Sequence, residues 1–193
     1  MILSRPAIRK PAPLPHEALS AFNARAEAEG WQFTCLPAQG FEKPELEAVA
    51  ARWYEKAGTR AMPRREDLTA RVLKPWLTNI SLIEHNAETA RYRVRLHGSA
   101  LARYSGDATG KFLEDVVAPE RLAGYAAVYD LARAIRTPLR VLSRYQAPEI
   151  AYLTGESLVA PLSHGDNDIL ILSVTYPKPR EELVGIAHRS SFG

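Results

Sequence analysis

Three arginines, Arg60, Arg64 and Arg65, stand in the phrase R-A-M-P-R-R. Two guanidinium forks at Arg-x-x-x-Arg spacing could grip one phosphate through paired, charge-assisted hydrogen bonds. The phosphate-binding form of this pair is followed by [DN]-x-S-x-x-G. Asn79, Ile80 and Ser81 meet the first half of that pattern, but Glu84 stands where the glycine is required. The arginines are therefore expected to anchor a connector, against Asp67 or Glu66. The histidines, His16, His85, His97, His164 and His188, are dispersed, and Cys35 is the one cysteine. No disulfide within the chain can form, and no thiolates or closely spaced imidazoles are placed for structural zinc. No metal site is expected. No G-x-S-x-G, H-E-x-x-H, P-loop or G-x-G-x-x-G occurs. The chemistries those motifs support are not indicated, and an enzyme is not expected.

Composition narrows the class further. A chain of 193 residues with 46% hydrophobic content can bury one ordinary core plus an extension. The formal charge is +3 and the basic residues are scattered, unlike the concentrated stripe of a nucleic-acid binder. No run approaches the ~20 apolar residues of a membrane span. The N-terminal M-I-L-S-R-P-A-I-R-K-P is too broken by charge and proline for a signal peptide. A soluble cytoplasmic protein is expected, with neither nucleic acid nor membrane insertion among its partners.

Residues that could act must be positioned by the elements around them. Residues 1–15 hold four prolines and read as an extended arm. Pro15 opens a helix whose apolar face is Leu19, Phe22 and Ala26, ended by Gly30. Residues 31–40 read as a connector. Pro44 opens a stronger helix, in which Leu46, Val49, Ala50, Trp53, Tyr54 and Ala57 recur at helical spacing. Gly58 suits the left-handed position past its end. Asp67 reads as the cap of a short turn over Leu68–Leu73. Strands are predicted over Thr78–Glu84 and Arg91–His97, joined by the polar turn His85–Thr89. In the second strand Tyr92, Val94 and Leu96 should face the core, with Arg91, Arg93, Arg95 and His97 facing water. A helical turn over Ala100–Tyr104 precedes the Gly106 and Gly110 loop. A longer helix begins at Pro119, carries Leu122, Tyr125, Tyr129, Ala132 and Ile135 on one face, and ends before Thr137-Pro138. Strands follow over Leu139–Gln146, about Ile150–Leu162, and Asp168–Tyr176, the last two joined by the hairpin signal S-H-G-D-N. Two strands, helices, then three strands describe an α+β fold: an antiparallel sheet with helices on one face.

That order resembles the PAS domain. W-Y-E-K-A-G-T-R-A-M-P-R-R-E-D-L at 53–68, R-Y-R-V-R-L-H-G-S-A at 91–100 and G-D-A-T-G-K-F-L at 106–113 are similar to a bacterial family of stand-alone PAS-type proteins. Its members carry a tryptophan-containing helix, a K-G-x-R-x-M-P-x-R-x-D segment and the strand phrase R-Y-R-x-x-G. This chain departs at Lys56-Ala57-Gly58, where an extra residue splits the Lys-Gly pair. The likeness covers 41–176. Residues 1–40 form an N-terminal arm and helical extension, and 177–193 a tail. The resemblance implies a five-stranded PAS-like sheet whose inner face and covering helices enclose a small-molecule cavity, in a sensory or regulatory module. No kinase, cyclase or helix-turn-helix pattern fits in the tail, so a signal is expected to pass to an unknown signalling protein by contact.

Near the implied cavity fall Tyr104, Tyr125 and Tyr129, which also suit a core, and His97 and Arg103, which also suit a solvated surface. As ligand-binding residues, these five would supply the few polar groups that orient a small organic molecule in an apolar pocket. Haem in such a fold needs an axial histidine on the long helix, and Leu122–Arg136 contains none. A covalent flavin switch needs a cysteine in an N-C-R context, which Cys35 lacks. Neither cofactor is expected. The stripe Leu46, Val49, Ala50, Trp53 and Tyr54 is wider than one sheet contact needs, which points to a homodimer interface. The competing reading lays that stripe on the chain's own sheet. A ligand-free interaction adapter, or a small enzyme using the cavity, would place the same elements.

Overall fold

The computed structural model describes residues 15–144, 154–165 and 168–178. The expected arm before Pro15, residues 145–153, residues 166–167 of the expected hairpin turn and the expected tail after Lys178 lie outside the described residues. Among the described residues four α-helices are formed: α1 (Pro15–Ala28), α2 (Pro44–Ala57), α3 (Ser99–Ser105) and α4 (Pro119–Ile135). Six strands join them: β1 (Phe33–Pro37), β2 (Ile80–Asn86), β3 (Arg91–His97), β4 (Leu139–Arg144), β5 (Thr154–His164) and β6 (Asp168–Lys178). They make one antiparallel sheet in the order β1-β4-β5-β6-β2-β3.

The α+β sandwich agrees with the sequence reading, with two differences. The sheet has six strands, because the 31–40 connector contains β1, paired to β4 from Phe33↔Ser143 to Pro37↔Leu139. Helices also cover both faces, not one. The reason lies in the strands' two-residue period. Along β5, Leu158, Ala160 and Leu162 point one way and Ser157 and Val159 the other. The first set joins Leu170, Leu172 and Val174 of β6 in an apolar outer face that must be shielded from water.

α2 supplies that shield. Leu46, Val49, Ala50 and Trp53 are buried against the outer face of their own sheet. Trp53 also donates its indole N–H to the Pro161 carbonyl at 2.8 Å. The stripe expected at a dimer interface is thus core in its own chain, and only Tyr54, 47% exposed, faces outward. The approach to α2 is tethered by Glu156 on β5. Its carboxylate accepts hydrogen bonds from the backbone N–H groups of Glu42 and Lys43 and from Arg140 Nε at 2.6 Å. Beyond α2, Asp67 binds Arg60 at 2.8 Å and accepts the Arg64 N–H at 2.8 Å. The arginine cluster therefore anchors the connector, as its neighbours Asp67 and Glu66 led us to expect. The Arg64 N–H, and then Arg60, hold the Asp67 carboxyl below its ordinary value.

The inner face is covered by α1 and α4. Leu19, Phe22 and Ala26 of α1 pack with Phe33 and Cys35 of β1 and with Val128, Tyr129 and Ala132 of α4. The Asn23 amide bonds both backbone groups of Cys35 at 2.8 Å. That pairing fixes α1 to the edge strand. Gly124 lets α4 approach closely, since a Cβ there would lie 2.8 Å from the Phe33 ring.

β3 departs from its expected alternation. Tyr92 and Val94 are buried, but Leu96 is 39% exposed. Leu82 pairs with Leu96 while Ile83 pairs with Val94, so Arg95 is an extra residue on β3. Such a bulge re-aims the residues beyond it. It turns Leu96 outward and His97 inward.

The free edge of β3 is sealed by the glycine-punctuated loop. Val94 exchanges backbone hydrogen bonds with Gly110 and Lys111, and the His97 N–H donates to Thr109 Oγ1. Positive φ angles at Gly106 (76°) and Gly110 (82°) shape this return, a region L side chains disfavour. The loop brings Ala108 and Leu113 onto the inner face.

Candidate ligand cavity

A cavity of about 270 Å³ lies between the inner face of the sheet and the layer formed by α3, the 113–118 segment and α4. That is just below the usual ~300–1,000 Å³ range of ligand pockets. Its walls are mainly aliphatic: Val94, Leu101, Val128, Val141 and Val159 all contribute. Phe33 and Tyr125 meet edge to face at 4.9 Å, and Tyr129 packs edge to face on Tyr92 at 5.3 Å. These aromatic contacts set the orientation of the rings that face the space.

Four of the five residues singled out from the sequence line this cavity: His97, Tyr104, Tyr125 and Tyr129. Arg103 does not. It sits on the exposed side of the short helix α3. Tyr104 is 48% exposed and stands at the solvent side of the wall. The guanidinium that lines the space is Arg121 in the first turn of α4, which also donates to Tyr125 Oη at 3.0 Å. Arg121, Tyr125, Val128 and Tyr129 follow a helical stripe. That spacing was the available signal for Arg121.

The floor carries a polar band that the sequence reading passed over. Ser157 of β5 shares a 2.8 Å hydrogen bond with Thr175 of β6. Two residues earlier on β6 and on the same face is Ser173, which pairs in register with Ser81 of β2. Ser81 in turn bonds His97 Nδ1 at 2.9 Å, and His97 Nε2 bonds Ser105 Oγ at 3.0 Å. All six side chains line the cavity. Hydroxyls at alternate strand positions, as in L-S-V-T over 172–175, are the sequence signal for this band. On the other face of the same strands stand Leu172 and Val174.

Hydrogen bonds to both ring nitrogens hold the imidazole in place. Ser105 Oγ also lies 3.2 Å from the Leu101 carbonyl; with its proton on that carbonyl, His97 Nε2 is the donor to Ser105 and Nδ1 accepts from Ser81, and in the other tautomer both directions reverse. Burial lowers the His97 pKa below 6.5, against the opposing pull of Asp107. The ring is accordingly neutral at pH 7. Asp107 itself is held low, first by the Thr109 backbone N–H.

Among the described residues that line the cavity, Arg121 carries a fixed positive charge, and no aspartate or glutamate takes part. Cys35 lies in β1, is not among the lining residues, and has its thiol pushed up to about 12 by burial. No group of three or more metal-ligating side chains occurs among the described residues, and no described helix is long and apolar enough to cross a membrane.

Comparison with known proteins follows the same lines. Residues 41–174 match the family model described as PAS domain. No curated protein matches the chain. A solved structure described as an RNA-binding Light-Oxygen-Voltage Receptor is similar at 12% identity and a TM-score of 0.42. The likeness covers 93% of this chain and 54% of that one, so this chain spans about half the length of that receptor.

Proposed function

The chain belongs to the PAS domain family, and from that premise we propose a sensory module that binds a small organic molecule in the inner-face cavity and signals by protein contact. The observation that carries this reading is the hydroxyl band running to His97, with Ser157 and Ser173 buried, beneath a mainly aliphatic and aromatic vault. Buried polar groups cost free energy unless they are hydrogen-bonded. A row of them facing a cavity suits a polar partner inside it.

The signalling step is a population shift. A ligand favours whichever arrangement of sheet and covering helices it contacts best. α3, the 113–118 segment and α4 all line the cavity, so occupancy acts first on their seating against the sheet. A downstream protein would read that change on the outer side of α3 or α4. The occupant proposed is neither haem nor a covalently held flavin. α4 contains no histidine, both ring nitrogens of His97 are engaged, and Cys35 lies away from the cavity wall. Cytoplasmic location and a homodimer belong to the same proposal. The dimer surface would lie outside the buried α2 stripe, with Tyr54 the residue of that stripe left to contribute.

Native mass spectrometry of the purified chain tests the binding step. The expected spectrum shows a small molecule retained by the wild type and lost from Val159→Phe, which fills the cavity from its floor. Equal masses for the two folded proteins beyond the substitution itself, with no small molecule released on denaturation, would favour a ligand-free adapter.

A further inference from the structure

Resting on the cavity reading above, we infer that the ligand is a small uncharged phenol whose hydroxyl bridges Ser173 and Ser81 on the cavity floor. Ser173 supplies the first reason. It is 7% exposed, it lines the cavity, and among the described residues no hydrogen bond satisfies its hydroxyl. A hydroxyl taken from water without a partner costs free energy. The neighbouring polar groups are already engaged: Ser157 with Thr175, Ser143 with the Gly155 carbonyl, and Ser81 and Ser105 with the two nitrogens of His97. The floor thus has one unmet polar position. It suits a ligand with one polar head and not a polyol.

Ser81 decides the kind of head. It is paired in register with Ser173 across β2 and β6, and both side chains line the cavity. Directly opposed residues hold their Cβ atoms about 5 Å apart. One ligand oxygen between the two hydroxyls can therefore reach both. Ser173 can donate or accept. Ser81 keeps a lone pair when it donates to His97 Nδ1, and a proton when it accepts from that nitrogen. A ligand hydroxyl, which itself donates and accepts, completes the bridge in either tautomer. A carbonyl does so in one of them only.

Charge and shape complete the class. Burying an ion without a counter-charge costs far more than burying a neutral hydroxyl. The described lining residues include no aspartate, glutamate or lysine, Arg121 already donates to Tyr125 Oη, and neutral His97 has both nitrogens engaged. An uncharged ligand leaves those contacts as they are. A phenol keeps its proton at neutral pH, as the tyrosine side chain does with a pKa of about 10. Above the floor stand the Phe33, Tyr125 and Tyr129 rings and several valines, which favour a flat ring between them. A cavity of roughly 150 Å³ can hold benzene. One of about 270 Å³ admits a ring with a hydroxyl and a further small substituent.

Calorimetric titration of the full chain at neutral pH tests this with para-cresol as the probe. Toluene removes the hydroxyl, and para-toluate replaces it with a charge. The expected order is para-cresol tightest, with each control weaker by about tenfold or more, the size of a lost hydrogen bond to a buried partner. Ser173→Ala and Ser81→Ala should each weaken para-cresol by about tenfold and leave toluene unchanged, so toluene reports that the cavity is still formed. The series on the wild type decides even where an alanine variant fails to fold. Toluene binding as tightly as para-cresol, or para-cresol affinity unchanged in Ser173→Ala, overturns the hydroxyl assignment. Para-toluate binding more tightly than para-cresol overturns the uncharged one. In either case, loss of the bound probe in Val159→Phe leaves the cavity reading standing. If no probe binds, the phenol assignment is overturned, and the mass spectrum of the native protein decides separately whether the cavity is used.

Discussion

Ser81 and His97 face each other across β2 and β3 and share a 2.9 Å hydrogen bond, although the strand's alternation assigns His97 to the opposite face. The Arg95 bulge reconciles the two. It inserts one residue before Leu96 and so turns His97 into the cavity. Removing Arg95 makes Val94 and Leu96 adjacent, so simple alternation alone then holds Leu96 outward and His97 in the cavity opposite Ser81, and the ring should keep its lowered pKa. Proton-detected NMR of the imidazole measures this directly. A His97 ring that turns to solvent and titrates near its ordinary value in the deletion variant would contradict the role given to the bulge.

The wild-type ring makes a pH prediction. Burial lowers the pKa of both His97 and His85 below 6.5 in the folded protein. The unfolded chain therefore binds more protons between each folded value and about 6.5, and stability rises with pH through that window. The contribution is complete above about 6.5 and is lost as pH falls through the folded values. Urea melts from about pH 8 to about pH 5 should show the decline. His97→Gln should flatten part of it and His85→Gln another part. Identical slopes in wild type and His97→Gln would refute the assignment.

Trp53 reports on α2. Its indole is 2% exposed and bonded to Pro161, so Trp53→Ala should cost roughly 3–5 kcal/mol of folding stability. Sedimentation of the folded fraction should show the same association state as the wild type. A variant that keeps its melting point but changes association would return Trp53 to an interface.

Glu156 reports on the tether before α2. The side chains of Glu156 and Arg140 are 3% and 15% exposed, and the carboxylate also holds two backbone N–H groups. Glu156→Ala strands a buried guanidinium and should destabilise by about 3–5 kcal/mol. Glu156→Gln, which keeps the acceptor oxygen, should cost less. Equal melts for the two variants would mean that the carboxylate holds nothing in place.

Some of this architecture was legible in the sequence and some was not, for physical reasons. α2 and α4 carry their own helical stripes from Leu46 to Ala57 and from Arg121 to Tyr129, so periodicity within one segment suffices. β1 carries only Phe33 and Cys35 on its buried side, and it becomes a strand by pairing with β4, more than 100 positions along the chain. The bulge at Arg95 depends on the register of a partner strand and leaves no mark in β3 alone. Tyr104, Tyr125, Tyr129 and His97 reach the cavity as the PAS likeness implied. Arg103 does not, because α3 is a short helix that presents it to solvent, and the cavity takes Arg121 instead. The hydroxyl band was hidden because serine in a strand looks like its wet face. Only the apolar outer face, with Leu158, Leu172 and Val174 under α2, shows that the serine side is the inner one.

Gly98 tests how tightly the entrance to α3 is set. A Cβ at this position would lie 2.3 Å from the Thr78 carbonyl oxygen, a backbone atom, and the Gly98 N–H is bonded to the Ile80 carbonyl at 2.8 Å. Gly98→Ala must shift the backbone, at a cost of about 1–3 kcal/mol. Hydrogen exchange should quicken across 99–105. Unchanged exchange in α3 would mean that this approach is not constraining.

The central claim is that the inner-face cavity is the sensing site, and methyl NMR of the full chain tests it most directly. The titrant is the low-molecular-mass fraction of an extract from the cells that express the protein. The account predicts that Val94, Val128, Val141 and Val159 shift on addition, while Leu158, Leu162 and Leu172 on the outer face stay in place. Shifts confined to the outer-face leucines, or a spectrum that does not move at all, would contradict it.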